Sequence, residues 1–100
     1  MFTIFGFYKF KKLKSLKKNK LYLQKLFLQN SIRGTFIISK EGCNGTISGN
    51  SKNIFSIIKK IKSLINISSF DSENLSKSEF QPFHKHQGTL FSMPLTLLLI

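Results

Sequence analysis

Ile54, Ile58, Ile61 and Ile65 recur at three- and four-residue intervals, with Ile57 and Leu64 beside them and Lys52, Lys59 and Lys60 turned away. That spacing winds the apolar side chains onto one stripe of a helix ending near Asn66. A stripe so rich in branched aliphatics must be covered by a second layer. The chain has 100 residues, enough for one domain around one core. Hydrophobic residues make up 41% of it, and eleven are phenylalanine, so the material for that core exists and disorder is not expected.

The covering layer is read from strand-like segments. Phe2 to Phe10 is rich in aromatic and β-branched residues, with Thr3, Ile4, Phe5, Phe7 and Tyr8 in a row broken only by Gly6, and predicts a strand. From about Ser15 to Asn30 the period changes. Leu16, Leu23 and Phe27, with Leu13 and Leu26 nearby, oppose Lys14, Lys18 and Lys25, which predicts an amphipathic helix. Ile32 to Lys40 returns to strand chemistry and runs into Glu41-Gly42-Cys43-Asn44-Gly45 before Thr46-Ile47-Ser48. Asn-Gly tolerates the positive φ of a tight turn, so a hairpin about Asn44-Gly45 is expected. Asn50 or Ser51 then serves as N-cap of the isoleucine helix. Ser68 to Pro82 is polar and serine-rich and reads as an irregular connection, with a last strand to follow whose identity the pattern leaves open. The expected fold is α+β: a ferredoxin-like βαββαβ unit, two helices on one face of an antiparallel sheet, the other face open. Either Phe5 and Phe7 or Phe2, Ile4 and Tyr8 occupy that open face.

Charge then narrows the partners. Lys plus Arg total 16 against 4 acids, a formal net charge of +12. Every acid lies past residue 40, whereas Lys9, Lys11, Lys12, Lys14, Lys17, Lys18, Lys20, Lys25 and Arg33 precede them uncompensated. A polyanion is the natural reader of such a field, nucleic acid before anionic lipid. Nearly all the cations are lysine, so a compositional bias of the source stays open as another cause. Cys43 stands alone, which excludes an internal disulfide and points to a reducing compartment, the cytoplasm. The N-terminal apolar stretch precedes its lysines, the reverse of a secretory signal. Leu90 to Ile100 is about half the length a bilayer-crossing helix needs, so no membrane partner is expected.

Candidate chemistry is sparse. An open sheet face bearing aromatics can stack unpaired bases while rim lysines hold phosphates. Arg33-Gly34-Thr35-Phe36 faintly matches an RNA-recognition signature, yet on the second strand and with threonine where an aromatic belongs. Cys43 between Gly42 and Gly45 would suit a phosphate-cradling turn; no neighbouring histidine or arginine activates it, and a plain turn residue is the simpler reading. His84 and His86 with Cys43 make a poor metal set, so no metal and no cofactor are expected. An acyl-phosphate hydrolase on this frame needs a glycine-bearing anion loop with arginine after the first strand, where this chain has Phe10-Lys11-Lys12-Leu13.

Three stretches taken together carry a family resemblance: Phe7-Tyr8-Lys9-Phe10; Ile32-Arg33-Gly34-Thr35 running to Lys40-Glu41-Gly42-Cys43-Asn44-Gly45-Thr46-Ile47-Ser48-Gly49; and Phe70-Asp71-Ser72 through Gln81-Pro82-Phe83-His84-Lys85. They resemble the N-terminal, acylphosphatase-like domain of the rhodanese-related tRNA uridine hydroxylases, over residues 1–85. Cys43 departs from the isoleucine usual there. The resemblance implies tRNA as partner and places the family's essential cysteine and its oxygen-dependent hydroxylation in a rhodanese domain outside this sequence.

Residues 86–100 leave the family pattern and form an apolar tail, read as a last strand or a frame-shifted end. The expectation is thus a monomeric, tRNA-binding accessory domain without a catalytic residue, with Lys9, Lys11, Lys12, Arg33, Lys40 and Asn44 on the RNA. The alternatives are a domain that docks on a rhodanese partner, supplied in trans or from a downstream frame, without touching RNA, and a non-functional remnant.

Overall fold

The isoleucine stripe does form a helix, and its position explains most of the rest. The computed structural model describes residues 1–79 and the backbone of 96–99. Strand β1 (Phe2–Phe10) leads to helix α1 (Leu16–Gln29), then β2 (Arg33–Ser39), β3 (Gly42–Asn50), helix α2 (Ser51–Leu64), β4 (Ser72–Ser78) and a short β5 (Thr96–Leu99). The sheet order is β4-β1-β3-β2-β5. The first four strands pair antiparallel, and β5 runs parallel to β2 at the edge. Because β1 and β2 both run against β3, they are parallel to one another with β3 between them; β3 and β4 flank β1 in the same way. Two split βαβ units thereby interleave, which is the ferredoxin-like arrangement expected.

Both helices cover one face of the sheet. Strand side chains alternate with period two, and the buried set follows one parity: Phe5 and Phe7 on β1, Ile47 and Cys43 on β3, Phe36 and Ile38 on β2. Leu23, Leu26 and Phe27 of α1 and Ile54, Ile57, Ile58 and Ile61 of α2 close over them. Phe7 touches Phe5, Phe36 and Phe70 with ring centroids 4.9 to 5.4 Å apart. Phe5, Phe27 and Phe36 are wholly buried, and each such side chain contributes about 1.5–3 kcal/mol of transfer free energy. Asn50 caps α2 as expected, its side chain accepting from the Lys52 backbone N–H at 3.1 Å. At the other end Lys11 Nζ donates to the carbonyls of Ile65 (3.0 Å) and Asn66 (2.6 Å), a cation set where the helix dipole is negative.

Two expectations need correction. The hairpin does not turn at Asn44-Gly45: Ser39 pairs with Gly42, so Lys40 and Glu41 form the turn and Asn44 and Gly45 lie inside β3. Gly45 is there for room rather than for turning. A Cβ on it would come 2.5 Å from the Thr35 carbonyl oxygen and 3.3 Å from the Phe7 ring. The glycine that meets the turn's demand is Gly42, at φ +144°, packed on the Lys9 backbone. The second correction concerns Ser68 to Pro82, of which Ser72–Ser78 is the fourth strand rather than an irregular connection. An edge strand exposed along nearly its whole length has no need of alternating apolar residues, so nothing in its side chains announced it. The tail's Thr96–Leu99 is then a fifth, parallel strand; His84, Lys85 and His86 lie outside the described residues.

Gly34 gives a direct test of this packing. Its φ is +118° and a Cβ would collide with the Thr46 carbonyl oxygen, so Gly34→Ala should lower stability by about 2 kcal/mol or more, read as a lower urea midpoint with unchanged slope. Gly6→Ala, where the nearest atom is Thr46 Oγ1 at 3.7 Å, should leave the midpoint almost in place.

Candidate nucleic-acid interface

Burial of Phe5 and Phe7 sends the even-numbered side chains of β1 to the opposite face, which among the described residues no element covers. Tyr8 pairs with Asn44, and Asn44 with Ile37, so these three stand in one row across the sheet. Phe10 follows two residues along β1 and is 74% exposed; Tyr8 is 41% exposed. Their rings meet edge to face at 5.4 Å. A cleft of about 490 Å³ lies beside them, bounded also by Ile37, Ser39, Glu41 and Asn44. A shallower hollow of about 350 Å³ adjoins it, sharing Tyr8 and Asn44 and reaching Thr35, Thr46 and Ser72. Residue parity on β1 was the signal for this surface, but it becomes readable only once one member of either set is known to be buried.

The end of β1 is locked in place from two sides. Asp71 donates its backbone N–H to the Tyr8 carbonyl (2.9 Å), and its carboxylate accepts from the Phe10 backbone N–H (2.7 Å) and from Lys9 Nζ (3.3 Å). The Phe10 N–H, with Lys9 adding to it, holds the Asp71 carboxyl below its ordinary pKa. On the other side the Lys11 and Leu13 N–H groups donate to the carbonyls of Glu41 and Lys40, each at 3.0 Å, so the chain leaving β1 runs along the hairpin turn.

The cations named from the sequence do not form one patch. Lys12 and Lys40 are exposed and belong to the two segments whose backbones meet where the chain leaving β1 runs along the turn. Lys40 is next in sequence to the cleft residues Ser39 and Glu41, and Asn44 lines the cleft. Lys9 is half-buried and paired with Asp71, while Lys11 is occupied at the end of α2. Arg33 stands at the opposite end of β2, in register with Ser48, roughly 20 Å from the turn at strand rise. Lys17, Lys18 and Lys25 are exposed on α1, and Lys52, Lys59 and Lys60 on α2, in the layer behind the sheet.

Cys43 points into the core, 5% exposed, and burial pushes its thiol up to about 11. A thiol so placed is neither nucleophile nor ligand at neutral pH. Among the described residues no group of three or more His, Cys, Asp or Glu side chains could hold a metal ion, and no helix is long and apolar enough to cross a membrane.

Comparison with known proteins agrees with this frame. The UPF0176 acylphosphatase-like domain matches residues 2–87. The tRNA uridine(34) hydroxylase of Pelagibacter ubique (strain HTCC1062) is 61% identical over 85 residues, which is 85% of this chain and 28% of that protein; the chain thus spans little more than a quarter of the curated relative's length. Among solved structures, the BLUF protein BlrB superposes with a TM-score of 0.63 at 9% identity, covering 98% of this chain and 72% of that one. Full-length HypF superposes at 0.59 and 12% identity, covering all of this chain and 12% of that one. At such identities these two likenesses speak for the fold alone.

Two measurements check the local chemistry. Cys43 should resist iodoacetamide at pH 8 in the folded chain and react at the rate of a free thiol in urea. Asp71→Asn should destabilise the chain at pH 7. Since the folded carboxyl titrates below its unfolded value, the gap between the two unfolding midpoints should stay constant above the ordinary carboxylate range and close as pH falls below about 4.

Proposed function

We propose, for a chain that belongs to the UPF0176 acylphosphatase-like domain family, that it is the N-terminal, tRNA-binding domain of a tRNA uridine(34) hydroxylase, and that the chemistry on uridine is done by residues outside it. The observation that carries this reading is the exposed Tyr8–Phe10 pair on the sheet face that neither helix covers, with the exposed Lys12 and Lys40 on the segments beside it. Aromatic rings give unpaired bases a stacking surface whatever their identity. Lys12 and Lys40 sit where the phosphates of a strand crossing that surface would pass. Lys9 and Lys11 contribute through their fixed positions: Lys9 with Asp71 holds the end of β1, and Lys11 anchors α2. Arg33 would meet the same strand only at its far end, and the lysines of the two helices add to the long-range field.

The relative's greater length favours a second reading, in which the rest of a longer protein docks on the same face and no RNA touches it. Titration with tRNA at several salt concentrations distinguishes the two. Binding should weaken with salt by a log-log slope of about −0.7 to −0.9 per phosphate held. Lys12→Ala and Lys40→Ala should each make the slope shallower by about one such contact, and Tyr8→Ala with Phe10→Ala should weaken binding about tenfold or more at unchanged slope. Lys11→Ala should instead lower the unfolding midpoint. Absent or salt-insensitive binding, together with a higher midpoint when the remainder of the relative is added without RNA, would favour docking.

A further inference from the structure

Resting on that reading, we propose that the cleft beside Tyr8 and Phe10 selects an unpaired guanine. The surface is cationic, yet Glu41, the only acid in the first seventy residues of the chain, lies on the wall of this cleft. A carboxylate at the rim of a phosphate-binding surface repels phosphate, so it opposes binding unless it receives hydrogen bonds from something else. Its own backbone is fully used: the Glu41 N–H donates to Ser39 Oγ at 3.2 Å, and its carbonyl accepts from Lys11. Among the described residues the carboxylate itself has no partner, and neither does the Asn44 side chain. Of the other polar groups lining the cleft, Ser39 Oγ is engaged with Gly42 and Glu41 and Lys9 with Asp71.

The cleft therefore offers an aromatic surface, an apolar wall at Ile37, one acceptor-only group and one amide. A carboxylate takes two parallel N–H donors best. Guanine presents such a pair on its Watson–Crick edge, N1–H beside the N2 amino group. Cytosine and adenine place a ring acceptor next to their single amino group, and uracil flanks its one N–H with two carbonyls. Asn44 Nδ2 supplies the donor for the guanine O6 that borders the same edge. At about 490 Å³ the cleft falls in the range of small-molecule sites, about 300–1,000 Å³, ample for one stacked base.

The test uses the 100-residue chain and three ten-nucleotide RNAs: uridine only, the same with one central guanosine, and the same with inosine, which lacks the N2 amine. The guanosine strand should bind about tenfold more tightly than the uridine strand, with inosine losing most of the gain. In Glu41→Gln the guanosine-to-uridine ratio should fall to about one. A ratio near one in the native chain, a ratio that survives Glu41→Gln, or binding of tRNA with none of the three strands bound overturns the guanine assignment alone. Failure to bind tRNA and all three strands overturns the tRNA-binding reading, and this assignment with it.

Discussion

Strand β1 carries the constraint on which the other features depend. It lies between β3 and β4 and buries Thr3, Phe5 and Phe7 on the helix side. With a side-chain period of two, a slip of one residue would expose Phe5 and Phe7 and bury Tyr8 and Phe10. The phenylalanine cluster, backed by the space left at Gly45, sets that register. Everything offered on the uncovered face follows from it, including the row through Tyr8, Asn44 and Ile37.

Charge in this molecule does two different jobs. Some lysines are structural: Lys11 satisfies carbonyls at the end of α2, Lys9 joins Asp71, and Lys62 lies 5.6 Å from the Phe70 ring centroid. Others are exposed and uncompensated, on the outer surfaces of both helices and at the turn. A net charge of +12 draws a polyanion in without orienting it. Orientation has to come from groups with shape and direction, and on the uncovered face those are the two exposed rings, the Asn44 amide and the Glu41 carboxylate.

Among the described residues, the groups that could have carried chemistry are taken up by the structure itself. Its lone thiol belongs to the core, kept protonated by burial. The loop after β1, where an anion-binding catalytic loop would be built on such a frame, instead runs along the hairpin turn through the Lys11 and Leu13 hydrogen bonds. Those amides are spent on carbonyls and do not converge on a ligand. The chain itself aligns to 28% of its curated relative.

The sequence by itself determined the elements whose side chains must be buried. Both helices, β1 and β2 were legible because a buried face imposes its period on the residues that make it, and the Asn50 cap was legible because its chemistry is local. So was the βαββα order, and with it the fold class. Only the tertiary structure decided what depends on partners distant in the chain. Ser72–Ser78 is a strand because β1 offers it hydrogen bonds, not because of its own side chains. Asn44-Gly45 has the composition of a turn but lies in a strand because Phe7 and Phe36 need the room. Which aromatics face outward, and which lysines are free, likewise waited on the packing: parity along a strand is relative until one face is covered, and a lysine's charge says nothing of the carbonyl or carboxylate it will meet.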